Sequence, residues 1–290
     1  MTHTQDLGFT TKQNVFRSAL LLAWVVLLSG CAAFSWIPGI GDDEDDEEKT
    51  EPAALVDFDA EVNVERQWKT KVGKGLGNKY IRLQPLVVAD RVVAADAYGV
   101  VVAFDRFSGD ELWQQQVGEV ERRASGLDRF MDRSDAGFVG GGVGGGDGLV
   151  LLGTTRGNVI ALALSDGTEQ WRTYVGSEIG AQPVAAQGRV FAQTIDGELI
   201  ALDAETGEKL WSYSSQVPLL TLRGTSTPVT ARDVVFTGFA SGKVVALRAN
   251  NGEPIWEQRV MLPEGRSELE RIVDVDAAPL VTANAVFAQA

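Results

Sequence analysis

A twelve-residue frame recurs four times in this chain and constrains its fold more than any other feature. Each copy begins with a short apolar segment, continues through a glycine turn and ends in a tryptophan four positions after that glycine. The four pairs are Gly109 with Trp113, Gly167 with Trp171, Gly207 with Trp211, and Gly252 with Trp256. A fixed offset of this kind indicates that one structural unit is repeated along the chain.

Two further positions belong to the same unit. A second glycine lies fourteen positions before each tryptophan, at Gly99, Gly157, Gly197 and Gly242, where a tight hairpin turn needs positive φ. A proline lies twenty-eight positions before three of the tryptophans, at Pro85, Pro183 and Pro228, and Val143 takes the fourth place. Short strands in units of 40 to 45 residues predict an all-β fold, a β-propeller of four-stranded antiparallel blades, because each unit must bury its faces against its neighbours. About five blades are represented.

The repeated tryptophans have two interpretations. They could stack on a ligand, but one large aromatic side chain at the same place in each unit is more simply a wedge between adjacent blades. Trp68 has no preceding strands of its own unit, so we interpret it as part of a last strand that would complete the final blade and close the ring.

The spacing of the units is irregular at two places. Residues 119–137 form an insertion between two units, while the offsets within each unit stay constant. The frame that opens at Pro279 would put its glycine at about 293 and its tryptophan at about 307, beyond Ala290. We therefore expect the chain to stop inside a blade.

The N-terminal residues have the pattern of an exported protein. Lys12 and Arg17 precede an apolar run at 19–28, which predicts a signal peptide over residues 1–30. The following Leu28-Ser-Gly-Cys31 resembles the lipobox of bacterial lipoproteins, which implies acylation of Cys31, and Ala32 favours sorting to the outer membrane. The acidic run at 42–48 predicts an extended tether over residues 31–60, with a metal-binding or partner-binding tail as the alternative. The propeller would occupy residues 61–290.

The composition excludes several kinds of chemistry. His3 and Cys31 are the only histidine and the only cysteine, so no imidazole or thiol follows residue 31. This excludes Ser-His-Asp and Cys-His catalysis, structural zinc sites and disulfides in the propeller. The formal net charge of −14 offers no attraction to nucleic acid or anionic lipid, so we expect membrane contact through the lipid anchor only.

The segment from Gly140 to Gly145 formally matches the dinucleotide-binding pattern G-x-G-x-x-G. An apolar run that begins at Leu149 follows it, with no helix to direct its N-terminus at a phosphate. We therefore predict that these glycines form a close-packed inner strand and its turn.

Residues 201–211, Ala-Leu-Asp-Ala-Glu-Thr-Gly-Glu-Lys-Leu-Trp, resemble the propeller repeat named after pyrroloquinoline quinone (PQQ) enzymes. Dehydrogenases and non-enzymatic lipoproteins share this repeat, so fold alone does not choose between them. The lipobox and the segments at 217–228 and 271–279 resemble the BamB family of outer-membrane barrel-assembly lipoproteins. The resemblance implies an eight-bladed, non-enzymatic scaffold of the BAM complex without a cofactor, lipid-anchored to the outer membrane and facing the periplasm.

The two segments at 217–228 and 271–279 each lie between a closing tryptophan and the next opening proline. By the symmetry of the repeat they emerge on the same face as neighbours. The resemblance implies that they dock a periplasmic POTRA domain of BamA. It assigns apolar anchoring to Leu220 and Leu222, cationic contact to Arg223, and acidic contact to Asp274 and Asp276. Alternatively, the leucines tuck under the rim and the aspartates cap turns.

Two other functions remain as alternatives. A PQQ-dependent dehydrogenase would need a calcium site, a carboxylate base and, in many members, adjacent cysteines, whereas Asp105 and Asp203 have the pattern of turn and strand-end carboxylates. An envelope propeller with a different partner would differ only in what its rim binds. Contact with unfolded barrel proteins through strand pairing at a blade edge is a further hypothesis, and no particular residue supports it.

Overall fold

The computed structural model describes residues 61–77, 81–118, 139–218, 220–221, 225–267 and 269–290. In these parts of the chain all regular secondary structure is β-strand. No helix among the described residues is long and apolar enough to cross a membrane. The predicted all-β propeller of four-stranded antiparallel blades is confirmed, with four blades followed by a two-stranded sheet.

The strands follow one another from the inside to the outside of each blade. Blade 1 contains β1 (Leu86–Val88), β2 (Arg91–Ala95), β3 (Val100–Asp105) and β4 (Glu111–Gln116). Blade 2 contains β5 (Val139–Gly146), β6 (Leu149–Thr154), β7 (Asn158–Ala163) and β8 (Glu169–Tyr174). Blade 3 contains β9 (Val184–Ala186), β10 (Arg189–Gln193), β11 (Glu198–Asp203) and β12 (Lys209–Ser214). Blade 4 contains β13 (Val229–Ala231), β14 (Val234–Phe239), β15 (Lys243–Arg248) and β16 (Pro254–Arg259). The final pair is β17 (Leu280–Val281) and β18 (Val286–Phe287).

The hydrophobic core lies between the blades. Successive side chains of a strand point to opposite faces, and in β7 both faces are buried. Ile160 and Leu162 pack toward blade 1, whereas Val159 and Ala161 pack toward blade 3. This explains why the middle strands are continuous apolar runs rather than alternating ones.

The glycine-rich strand β5 joins blade 2 to its neighbours by backbone contacts. It pairs in parallel with β9, so blades 2 and 3 form one eight-stranded sheet. The backbone N–H of Val143 donates to the carbonyl of Gln84 in the segment before β1 (2.9 Å), on the side of blade 1. A Cβ on Gly144 would lie 1.8 Å from the Pro183 carbonyl oxygen, a distance that no side chain tolerates. The prediction of a close-packed inner strand is confirmed.

Candidate functional site: the connection face

The propeller has two faces that differ in what they carry. After the outer strand of each blade, a backbone N–H donates to the carbonyl of that blade's hairpin glycine. The four pairs are Val117 to Gly99, Val175 to Gly157, Ser215 to Gly197, and Val260 to Gly242, each at 2.8 to 2.9 Å. The chain then returns to the inner strand of the next blade. We call this side, with its hairpin glycines and connections, the connection face. The opposite side, with the turns before each outer strand, is the turn face.

The turn face carries a repeated contact between blades. Four indole Nε1 groups each donate to a carbonyl three positions before the frame glycine of the following blade. The four bonds run from Trp68 to Arg106 (2.8 Å), Trp113 to Leu164 (3.0 Å), Trp171 to Ala204 (2.9 Å), and Trp211 to Ala249 (3.1 Å). A Cβ on the frame glycine of the receiving blade would lie within 2.5 to 2.7 Å of that indole. These four indoles therefore lie in the seams between blades, each against a glycine of the next blade, whereas Trp256 of blade 4 is 37% exposed. Trp68 makes this contact although it lies in none of the described strands.

The turn-face carboxylates are occupied by local hydrogen bonds. Asp105 accepts from the backbone N–H groups of Phe107 (2.9 Å) and Ser108 (2.7 Å). Asp203 accepts in the same way from Glu205 and Thr206, each at 2.9 Å. These bonds, led by the N–H of Ser108 for Asp105 and of Thr206 for Asp203, hold both pKa values below the ordinary aspartate value. The prediction that they are turn carboxylates is confirmed.

The two segments singled out by sequence are in direct contact on the connection face. The hydroxyl of Ser226 donates to the carbonyl of Ala277 at 2.9 Å, across 51 positions of sequence. Ser226 is fully buried. The backbone N–H of Val275 donates to the carbonyl of Phe239 at 3.2 Å, which seats the second segment on the end of β14. The described parts of the two segments therefore meet at this bond, and we call the segments at 217–228 and 271–279 the docking surface.

The predicted contact residues have different exposures on this surface. Leu220 is 48% exposed, and Asp276 is exposed as well. Asp274 is only 7% exposed, so little of its carboxylate is available to a partner. Leu222 and Arg223 lie outside the described residues, as do Cys31 and the acidic run at 42–48. Partner contact by these residues, and acylation of Cys31, stay predictions.

The structure adds apolar residues that the sequence reasoning missed. Val260, Met261 and Leu262 follow β16 and are exposed, as is Leu269 later in the same connection. The sequence contains a feature that could have revealed them, the apolar run Val260-Met-Leu-Pro263, which lies outside the repeated frame.

Glu270 stabilises the turn that precedes the second segment of the docking surface. Its carboxylate accepts hydrogen bonds from the backbone N–H groups of Arg266 and Ser267. These bonds, of which the one from the Arg266 N–H has the larger effect, hold the pKa of Glu270 below the ordinary glutamate value. Among the described residues, no group of three potential metal ligands is assembled.

Comparison with known proteins assigns the chain to a family. The family model described as "Outer membrane protein assembly factor BamB" matches residues 49–139 and 99–290. The relative of that name from Xanthomonas campestris is 40% identical over 273 residues, 94% of this chain and 65% of its own length. The Escherichia coli relative is 35% identical over 266 residues, 92% of this chain and 64% of its own length.

A solved structure agrees with these sequence matches. The crystal structure of BamB from Moraxella catarrhalis superposes with a TM-score of 0.61 at 28% identity, covering 71% of this chain and 57% of the other. This chain thus spans about two thirds of the length of the curated relatives it matches. By the family model, the curated relatives and the shared propeller, the chain belongs to the BamB family.

Proposed function

We propose that this protein is a non-enzymatic scaffold lipoprotein of outer-membrane β-barrel assembly, which binds the periplasmic POTRA region of BamA through its docking surface. The relatives' name, outer membrane protein assembly factor, supports the process. The Ser226 to Ala277 hydrogen bond carries the assignment of the surface, because it joins two connections that are separate in sequence. Acylation of Cys31 would hold the propeller at the periplasmic side of the outer membrane.

The docking surface has the composition of a small hot spot. Exposed apolar side chains, Leu220 in its first segment and Met261 and Leu262 in the connection that leads to its second segment, lose water-accessible area when a partner covers them. The exposed carboxylate of Asp276 would add charge contact at the rim, which favours encounter and orientation more than affinity. Asp274, being mostly buried, would support the shape of the segment, and Leu222 and Arg223 complete the predicted set.

Binding measurements with matched variants test this proposal. The full chain, immobilised, is titrated with the periplasmic domains of the organism's barrel-assembly protein. Leu220→Ala should weaken binding about fivefold to thirtyfold, the range for a moderate hot-spot residue. Leu210→Ala is the control, because Leu210 is 47% exposed but lies on the outer strand β12, away from the connections. We expect its affinity to equal that of the wild type.

Charge variants form the second arm of the test. Asp276→Lys should slow association and weaken binding, whereas Asp233→Lys, on an exposed turn-face aspartate, should not. Leu222→Ala combined with Arg223→Glu should abolish binding while the melting temperature stays unchanged. No binding by the wild type, or equal losses in test and control variants, would contradict the proposed docking surface. Palmitate labelling that is lost in Cys31→Ser tests the lipid anchor separately.

A further inference from the structure

A third connection touches the first segment of the docking surface. This connection leads from blade 2 to blade 3, between Trp171 and Pro183. A Cβ on Gly180 would lie only 2.6 Å from the hydroxyl oxygen of Thr225, which belongs to the first segment. The φ of Gly180 is not in the left-handed region, so the backbone conformation alone would accept another residue. It is the close approach of Thr225 that requires glycine at this position.

Gly180 is held from both sides and cannot retreat from this contact. The backbone N–H of its neighbour Ile179 donates to the carbonyl of Thr154 in blade 2 at 3.2 Å. The carbonyl of Glu178 accepts from the N–H of Ile195, in the hairpin turn of blade 3, at 2.9 Å. The side chain of Ile179 is fully buried. A side chain at position 180 would therefore displace the docking surface rather than its own backbone.

Thr225 has little freedom to absorb such a change. Its β-branched side chain has few accessible rotamers. Its hydroxyl oxygen is enclosed and has no hydrogen-bond partner among the described residues. The next residue, Ser226, is fully buried and makes the 2.9 Å hydrogen bond to the carbonyl of Ala277. A shift of Thr225 would therefore be passed on to the bond at which the two segments meet.

The neighbouring connections are seated differently, by an apolar side chain four positions before the opening proline. Ile179 and Val275 are buried in this way, each over a strand glycine whose Cβ would lie 2.3 or 2.4 Å from the side chain. At the same strand position, blade 3 has Gln193 instead, whose amide donates to the Gly238 carbonyl at 2.7 Å. No glycine leaves room for an apolar side chain there. The contact of Thr225 with the third connection supports the first segment in its place.

We propose that Gly180 is a positioning residue of the docking surface, which it aligns for the partner through Thr225. The inference rests on the proposed function, because it assigns to Gly180 the arrangement of the surface that the partner would bind. The absence of a side chain at position 180 lets the first segment settle where Ser226 reaches Ala277. The partner would then recognise an arrangement set by three successive connections, without contact to Gly180 itself.

Titration of a Gly180 variant tests the proposal. The immobilised full chain carrying Gly180→Ala is titrated with the periplasmic domains of the organism's barrel-assembly protein. Because the added methyl group overpacks a contact that cannot relax on its own side, we expect affinity to fall about fivefold to hundredfold. The measurement is made well below the melting temperature of every variant, so that loss of folded protein does not contribute.

A double variant tests whether Thr225 transmits the effect. A Cβ on Gly180 would lie 3.7 Å from the Cβ of Thr225, an ordinary contact, so Thr225→Ala removes the obstruction. Thr225→Ala alone should bind as the wild type does, since it removes no described hydrogen bond. Gly180→Ala combined with Thr225→Ala should bind equally well. The double variant decides the proposal even if Gly180→Ala alone does not fold, because it must fold and bind as Thr225→Ala does.

Gly118→Ala is the matched control. Gly118 lies in the connection from blade 1 to blade 2, its φ is not left-handed, and a Cβ there would lie 2.6 Å from the carbonyl oxygen of Tyr98. This variant should lower the melting temperature and leave the affinity unchanged. Equal losses of affinity in Gly118→Ala and Gly180→Ala would overturn the proposal. So would an unchanged affinity in Gly180→Ala, or a double variant that does not recover.

Hydrogen–deuterium exchange without a partner distinguishes failure of this proposal from failure of the proposed function. Gly180→Ala should speed amide exchange at residues 225–228 and 275–279, and adding Thr225→Ala should restore the wild-type rates. If the wild type does not bind the barrel-assembly domains, the proposed function is contradicted, whereas the exchange rates still decide whether Gly180 sets the arrangement of the two segments. Unchanged exchange in Gly180→Ala would overturn the positioning role.

Discussion

The turn face of this propeller repeats the same contacts from blade to blade, whereas the connection face varies. On the turn face, each frame glycine donates its N–H to the carbonyl four positions earlier at 2.9 Å and seats the preceding blade's indole. On the connection face, the segments between tryptophan and the next opening proline vary, with 12 positions from Trp171 to Pro183 and 23 from Trp256 to Pro279. Within the blades, the distance from the opening position to the tryptophan stays at 28.

This difference separates stability from recognition. A contact that recurs at each seam must be kept for the blades to pack, so the turn face has little freedom to change. The connections only need to return the chain to the next inner strand, so their length and side chains can serve a partner. Changes on the turn face should therefore lower stability, and changes on the connection face should lower binding.

The largest effect is expected at a frame glycine. Gly207→Ala would place a Cβ 2.7 Å from the indole of Trp171, whereas Gly188→Ala, at the same φ of +73°, meets nothing within 4 Å. Both substitutions carry the left-handed backbone cost of about 1–2 kcal/mol. Overpacking should cost Gly207→Ala about 1–3 kcal/mol more. Urea unfolding of the full chain measures the difference in the free energy of unfolding between the two variants. Equal decreases in both variants would mean that the Trp171 indole is not tightly packed against Gly207.

The next effect comes from the indole N–H. Trp171→Phe keeps an aromatic ring in the seam but removes the donor to the Ala204 carbonyl. Leaving that carbonyl without its partner, together with the smaller ring, should lower the free energy of unfolding by about 1–3 kcal/mol. Affinity for the barrel-assembly domains, measured well below the melting temperature, should not change. A loss of affinity at unchanged stability would assign the indole to recognition and break the distinction between the faces.

A smaller loss of stability is expected when the hydrogen bond between the two segments of the docking surface is removed. Ser226→Ala removes the hydrogen bond to Ala277 and should cost about 1 kcal/mol. It should also weaken partner binding, because the two connections lose their fixed relation. Ser215→Ala is the matched control, since among the described residues its hydroxyl meets the Ser241 hydroxyl at 3.3 Å and does not join the two segments of the docking surface. Calorimetry measures the stability of both variants, and titration measures their affinity for the partner. An unchanged affinity in Ser226→Ala would show that partner binding does not depend on the hydrogen bond to Ala277.

The smallest effect concerns acid sensitivity of a turn. The folded pKa of Asp203 is lowered, first by the Thr206 N–H, so its contribution exists above the unfolded pKa and is lost as pH falls through the folded value. Asp203→Asn retains an acceptor for the turn but cannot be protonated in this range. Its melting temperature should therefore lie slightly below that of the wild type near neutral pH, where the wild-type carboxylate is ionised, and the two values should converge below about pH 4. If the melting temperatures of the two proteins change identically with pH, ionisation of Asp203 does not contribute to the stability of the turn.

The sequence predicted the blades well because their offsets are local and repeated. The glycines at 99, 157, 197 and 242 all adopt positive φ, between 74° and 86°. What escaped prediction depends on tertiary placement. The buried pair of Gln193 with Thr237 joins blades 3 and 4 at 2.9 Å, and no spacing rule brings them together. The burial of Asp274 is of the same kind, because an acidic residue in a connection reads as exposed until its neighbours are known.

Hydrogen–deuterium exchange of the full chain, with and without the periplasmic domains of the barrel-assembly protein, tests the central claim most directly. The account predicts that added protection falls on the connections at residues 215–228 and 260–279. It predicts no added protection at the turn-face segments 203–208 and 248–253. Protection that appears on the turn face, or equally on both faces, would contradict the assignment of recognition to the connection face.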